Sequence, residues 1–340
     1  SRRLPPAVTA SCRTSFGSDA GTRDQVVTSR IGCRVWMRSA AWVRVQKCGT
    51  SAVYRPLPAG EIAAGNTREE LQQLMPPGVA RNAVDCALWD LEAKRAGQTV
   101  WQMIGWDPKP VTTVYTVGID TPENMEADAA AHSEYAFIKV KVGIGDPLAQ
   151  IEAINKGAPN AAIVIDANQA WTIADLTQYA EPLKGMGVEM IEQPMDREAD
   201  QALRDYDAPL PICADESCAT SAELERLQGL YSMVNIKLDK TGGLTEALKL
   251  AEQALSMGFE LMVGNMLGSS LAMAPSFVIA QKCRYVDLDG PLLQSEDVEH
   301  AMHYDKGRVE VFTPALWGLS LIHISEPTRQ LTQSRKPSSA

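Results

Sequence analysis

The sequence predicts an α/β protein built on a (β/α)8-type (modified TIM) barrel, preceded by a smaller N-terminal region. Five charged residues, Lys141, Asp166, Glu192, Asp215 and Lys237, recur at intervals of 25, 26, 23 and 22 residues, the length of one strand, one helix and two loops. Short β-rich runs alternate with helical stretches after Pro110. Those runs are apolar almost throughout and end in a charged or glycine residue, as strands buried on both faces do. In such a barrel each strand delivers its C-terminal end to one shared face, so distant residues meet in one pocket.

Composition is consistent with that class. The 340 residues suffice for a barrel of roughly 200 to 250 residues plus a smaller domain. No apolar run reaches the ~18 residues of a membrane span. Seven scattered cysteines without a CxxC pair read as reduced thiols, so a cytoplasmic location is expected, with neither a disulfide frame nor a zinc site. The net charge of −10 hides an asymmetry: residues 1–60 hold ten Lys/Arg against two acids, whereas residues 61–340 hold 22 against 40. A transit peptide or a nucleic-acid arm would share the basic composition of the first segment. The reading preferred here is that it is poorly folded or stems from another reading frame, and no nucleic-acid partner is expected.

The elements follow in order. Thr67-Arg68-Glu69-Glu70 has the form of a capping box, and Pro76-Pro77 stops the short helix it opens. From Ala80 to Ala96 apolar residues recur three and four apart, with Gly97 as the stop signal. Eight strands are expected at Val111–Val117, Ala136–Lys141, Ala162–Asp166, Val188–Glu192, Leu210–Asp215, Met233–Lys237, Glu260–Gly264 and Arg284–Leu288, with helices such as Leu148–Lys156, Ile173–Met186 and Leu244–Met257 between them.

Asp166, Glu192 and Asp215 close three successive strands. A single acid at a strand end is commonly a helix cap. Three converging on one buried face would repel one another and suffer desolvation unless a cation joined them. An all-oxygen donor set without histidine suits Mg²⁺ better than zinc.

Lys139 and Lys141 lie two apart on one strand, so both side chains leave the same face, about 6.6 Å apart. Making a free lysine a base at pH 7 costs about 4.6 kcal/mol. Repulsion between two such cations at an effective dielectric near 20 supplies about 2.5 kcal/mol of that. Lys237, four strands further on, would face Lys141 across the barrel. One amine could remove a proton from carbon and the other return one to the opposite face, inverting a stereocentre. A Schiff-base role for Lys237 is the competing reading, but an imine needs no row of three carboxylates. Lys240 competes for Lys237's role, although it is expected to lie already in the loop.

At this point the residues carry a resemblance. The helix Ala80–Lys94, the Lys-Val-Lys of 139–141, Asp-Ala-Asn at 166–168, Glu-Gln-Pro at 192–194, Ala-Asp-Glu-Ser at 214–217 and Lys237 with its Lys-Thr-Gly-Gly sequel together resemble the enolase superfamily in its muconate-lactonizing branch, specifically the L-Ala-D/L-Glu (dipeptide) epimerases. The resemblance covers roughly residues 66–318. It implies proton abstraction alpha to a carboxylate, with a Mg²⁺-stabilised enediolate, and epimerisation of a small dipeptide by two lysines, Lys141 and Lys237. Asp166, Glu192 and Asp215 would carry the metal, and Asn168 and Glu216 would orient those ligands. Lys139 would help hold the substrate carboxylate, Thr116 would contact substrate, and Asp287 and Asp289 would bind its α-ammonium group. The alternatives are another activity of the branch (cycloisomerase, o-succinylbenzoate synthase or N-acylamino acid racemase) or a catalytically impaired ligand-binding barrel. The implied organisation is an N-terminal α+β capping domain over 1–110 that is incomplete or non-native, with 1–65 unlike the family and 66–110 helical, a barrel over 111–300, a return segment over 301–318 and a disordered, adapter-like tail over 319–340. A homo-oligomer is compatible with this reading, and no membrane partner is expected.

Overall fold

The computed structural model describes residues 67–143 and 145–318 together with four strands nearer the N-terminus. Those strands are β1 (Gln25–Thr28), β2 (Arg34–Arg38), β3 (Trp42–Lys47) and β4 (Thr50–Ala52), paired antiparallel in chain order. The rest of residues 1–66 and the tail at 319–340 lie outside the described residues. The strands belong to a unit spanning Ser1–Gly65, and everything below belongs to a second unit that begins at Asn66.

The second unit opens with α1 (Arg68–Leu74). The Thr67 hydroxyl accepts from the Glu70 amide while the Glu70 carboxylate accepts from the Thr67 amide, as the capping-box spacing requires. Next come α2 (Val79–Ala96), closed by Gly97 at φ 63°, and α3 (Val100–Ile104), opened by a second reciprocal cap between Thr99 and Gln102.

The segment expected as one strand at Val111–Val117 is two. In it β5 (Val111–Thr112) and β6 (Tyr115–Val117) flank Thr113 and Val114, whose amides are drawn to different partners. Thr113 N donates to Gly307 O at 2.7 Å and Val114 N to Val286 O at 2.8 Å, so the chain must swivel between two sheets. The chain then runs through α4 (Pro122–Ala131), β7 (Phe137–Lys141), α5 (Pro147–Gly157), β8 (Ala162–Asp166), α6 (Ile173–Gly185), β9 (Val188–Glu192), β10 (Ile212–Ala214), α7 (Leu224–Leu227), β11 (Met233–Ile236), α8 (Leu238–Thr241), α9 (Leu244–Ser256), β12 (Glu260–Val263), α10 (Ser270–Ala280) and β13 (Tyr285–Val286). The hairpin β14 (Tyr304–Asp305) and β15 (Arg308–Val309) adds to β5 as a separate three-stranded sheet.

Strands β6 to β13 form one sheet in chain order, every pair parallel. The Val114–Val286 bond joins its two edges. Parallel strands of this kind are buried on both sides. Outward residues Ile138, Val140, Ile163, Ile165, Ile191, Val234, Ile236 and Val263 pack beneath the helices in one large core. Inward residues Val114, Val164, Met190, Cys213, Met233, Met262 and Tyr285 form a second apolar cluster that floors the barrel. Trp317 and Gly318 return the chain to α2, bonding Cys86 O and the Asp90 carboxylate. Among the described residues no helix is long and apolar enough to cross a membrane.

Candidate active site

Strand alternation builds the site. Side chains two apart leave the same face, so above Val164, Met190, Cys213 and Met233 stand Asp166, Glu192, Asp215 and Asn235, all buried. Asp166 lies in register with Glu192, and Glu192 with Cys213, which places the three acids side by side at the ends of β8, β9 and β10.

Lysine amines are threaded between them. Lys139, only 1% exposed, sets Nζ 3.2 Å from Asp166 Oδ2, 2.7 Å from Glu192 Oε2 and 2.8 Å from Asp287 Oδ2. Half-buried Lys141 donates to Asp166 Oδ2 at 2.5 Å and to Asn168 Oδ1 at 2.9 Å. Lys237 donates to Asp215 Oδ2 at 2.5 Å and approaches Glu192 Oε1 at 4.0 Å. Lys240, expected in a loop, lies in the single turn α8. Its amine reaches back to Asp215 Oδ1 at 2.6 Å and to Asn235 O at 3.1 Å. The repulsion between Lys139 and Lys141 is screened, because Asp166 Oδ2 stands against both.

Burial and charge divide these acids. Burial pushes Glu192 up to about 7, with Asp166 and Asp215 adding to the rise against the pull of Lys139 and Lys237. Asp215 is buried as deeply, yet Lys240 and Lys237 hold it well below the usual carboxylate range. Asp166 is buried too, and Lys139 and Lys141 outweigh that burial and lower it. Burial alone would lower the Lys237 amine, but Asp215 and Glu192 outweigh it and raise that amine above its ordinary value.

The donors suit a hard divalent cation. They are carboxylate oxygens only; Glu192 Oε2 takes no hydrogen bond, its contact being the ion pair with Lys139, and the neighbouring acids work against the ionisation of Glu192. Among the described residues no three acidic, imidazole or thiolate side chains form a ready-made cage, and the ammonium groups supply the countercharge here. A divalent ion would compete with Lys139 and Lys237 for the same oxygens.

The opposite wall carries the other expected residues. Asp287 and Asp289, at the end of β13, are both buried. Asp287 faces Lys139 and receives Asn265 Nδ2, while the Thr116 amide donates to Asp289 Oδ2 at 2.8 Å. Burial, then Asp287, pushes Asp289 up to about 7. Asn168 is exposed, and its amide closes a turn onto Asp166 Oδ1 at 3.0 Å. The buried Glu216 Oε2 has no hydrogen-bond partner, and burial with the Asp215 charge raises this acid.

Two participants had no role in the sequence reading. Gln193 is fully buried, with φ 35°, and its side-chain amide bonds Asp215 N and Ser217 Oγ just beyond β10, while its main-chain carbonyl accepts from Gln169 N beyond β8. Gly264 leaves room for Lys237, since a Cβ there would sit 2.9 Å from Lys237 Cε and 2.8 Å from the Asn235 amide. The Glu-Gln-Pro motif signalled the first, whereas nothing in the sequence signals the second.

Known proteins share this fold. Residues 124–322 match the family model "Enolase C-terminal domain-like", and residues 59–105 match "Mandelate racemase / muconate lactonizing enzyme, N-terminal domain". The chain belongs to the enolase superfamily, in its mandelate racemase/muconate lactonizing enzyme branch. It is 45% identical over 249 residues to the N-acetyl-D-glutamate racemase of a Pseudoalteromonas species, covering 73% of this chain and 79% of that protein. It is 43% identical over 254 residues to the L-Ala-D/L-Glu epimerase of Escherichia coli K12, covering 74% and 79%. Among solved structures, an enolase family member from Agrobacterium tumefaciens with homology to dipeptide epimerases, bound to sodium and L-Ala-L-Glu, superimposes with a TM-score of 0.76 at 37% identity, covering 87% of this chain and 99% of that one. A dipeptide epimerase from Cytophaga hutchinsonii, complexed with Mg and D-Ala-L-Val, gives 0.65 at 32% identity, covering 70% and 68%. The protein is accordingly an isomerase.

Proposed function

We propose that the protein epimerises a dipeptide of the L-Ala-D/L-Glu type, one lysine removing the α-proton of its C-terminal residue and a second lysine returning a proton to the opposite face. The observation that carries this reading is a row of three buried carboxylates with an amine bonded at each end, Lys141 on Asp166 and Lys237 on Asp215. Lys141 would first release its ammonium proton to solvent and then, as the amine, take the proton from one face of the α-carbon. Lys237, kept as ammonium by Asp215 and Glu192, delivers one to the other face. The reverse reaction exchanges the two roles. Asp166, Glu192 and Asp215 would hold Mg²⁺, whose charge supports electron density arriving on the substrate carboxylate. Asp289 and Asp287 would receive the α-ammonium, with Thr116 fixing Asp289; Asn168 would steady Lys141 and Glu216 would lie beside the metal carboxylates. Deep burial and three ion pairs support a role for Lys139 in setting the neighbouring carboxylates as well as in holding the substrate carboxylate.

A second reading has its own observation. Asp289 pushed up to about 7 and Asp287 paired with Lys139 leave this wall less anionic than two free carboxylates. A protonated Asp289 could donate to an acyl oxygen, which suits an N-acylamino acid such as N-acetylglutamate. Incubation with Mg²⁺ in D₂O separates the two: deuterium should enter the glutamate α-carbon of L-Ala-L-Glu faster than that of N-acetylglutamate. The opposite ranking would favour the racemase. In Lys141→Ala or Lys237→Ala, exchange from one stereoisomer should fall at least 100-fold more than from the other; a variant that exchanges both like the parent would exclude two-base transfer.

A further inference from the structure

We propose that Gln193 is a positioning residue that sets the spacing of the three carboxylates for a divalent cation, an inference that rests on the metal reading above. Gln193 follows Glu192 directly and is fully buried. Its Oε1 accepts from the amides of Asp215 at 2.8 Å and Ser217 at 3.1 Å. Its Nε2 donates to Met195 O at 2.9 Å, Ser217 Oγ at 2.8 Å and Tyr231 Oη at 3.1 Å. The main chain completes the pattern: Gln193 N donates to Cys213 O at 2.8 Å, and Gln193 O accepts from Gln169 N at 2.8 Å. One residue is thus tied to the ends of β8, β9 and β10, the three strands that carry Asp166, Glu192 and Asp215.

Backbone strain accompanies the arrangement. Asn168 at φ 44°, Gln169 at φ 65° and Gln193 at φ 35° are left-handed non-glycine residues, all just beyond the ends of β8 and β9. Such conformations are strained and persist where surrounding bonds over-determine them. A primary amide is the group that can both accept from two main-chain N–H groups and donate to carbonyl and hydroxyl oxygens. Leucine keeps the approximate size but removes all five bonds, leaving the Asp215 and Ser217 amides without the oxygen they share. Glutamate keeps the acceptor and sets an oxygen against Met195 O.

The test is Mg²⁺ binding measured by calorimetry on the parent, Gln193→Leu, Gln193→Glu and Ser217→Ala, with folding checked by circular dichroism. The parent should bind Mg²⁺, Gln193→Leu at least tenfold more weakly, Gln193→Glu in between, and Ser217→Ala within threefold of the parent, because its Asp215 contact survives. If Gln193→Leu does not fold, the Gln193→Glu ratio decides. A folded Gln193 variant that loses thermal stability yet binds Mg²⁺ as the parent does would make the residue merely structural and overturn the proposal. A parent that binds no Mg²⁺ would overturn both this proposal and the metal reading, whereas unequal affinities between parent and variants bear on Gln193 alone.

Discussion

At Lys139 a single ammonium group faces three carboxylates in an interior from which water is nearly excluded. Removing one member of a buried ionic group strands the others, at a cost of about 3–5 kcal/mol. Lys139→Met should therefore lower the urea midpoint by a corresponding amount, and added Mg²⁺ should restore part of the loss. Gly264→Ala tests crowding instead of charge: a methyl 2.9 Å from Lys237 Cε has to displace that side chain. Turnover should fall at least tenfold with Lys237 displaced, while the melting temperature changes by only a few degrees. Asp289 sets a pH dependence. It is an acid raised to about 7 by burial and Asp287, so it is anionic above that pH and neutral below it. Affinity for a dipeptide with a free α-amine should weaken as pH falls below about 7, by up to tenfold per unit. Calorimetric titrations of Asp289→Asn between pH 6 and 8 should show weak, nearly flat binding.

Helix α2 does more than cover the barrel. Its Arg81 guanidinium, buried among carbonyls, bonds Thr241 O at 2.5 Å and Gly242 O at 3.1 Å, capping the turn that begins at Lys237. Asp85 accepts from Thr245 N at 3.0 Å, and Asn82 donates to Asp239 at 2.8 Å. The Lys-Thr-Gly-Gly motif has its reason in this contact. A Cβ on Gly243, at φ 119°, would lie 2.4 Å from Asp85 Cβ, and one on Gly242 would lie 2.5 Å from Arg81 Nε. Gly243→Ala combines backbone strain with overpacking and should destabilise the protein by on the order of 3 kcal/mol, read from denaturant melts.

On the scale of the whole molecule, the barrel gathers one charge system from residues 116 to 289. Ammonium groups and carboxylates share its mouth while the apolar floor beneath excludes water. Such a system is poised for a cation. Binding at 100 times Kd adds about 2.7 kcal/mol to stability, and for a protein of this size each kcal/mol moves the melting temperature by roughly 1–2 °C. Saturating Mg²⁺ should raise the melting temperature by several degrees, and a chelator should reverse the rise.

Much of this was readable before any coordinates. Apolar runs ending in charge marked the barrel strands, because a strand buried on both faces can place its polar residues only at its ends. The Thr67 capping box and the Gly97 stop are local chemistry and fell where the residues required. The recurring interval likewise brought Asp166, Glu192 and Asp215 to adjacent strand ends. Contacts across sequence distance were not readable. The swivel at Thr113 and Val114 depends on Gly307 and Val286, more than 170 residues away. Lys139's three ion partners, the Gln193 hub and the space that Gly264 leaves for Lys237 arise from strand register and close approach, which a linear pattern does not encode.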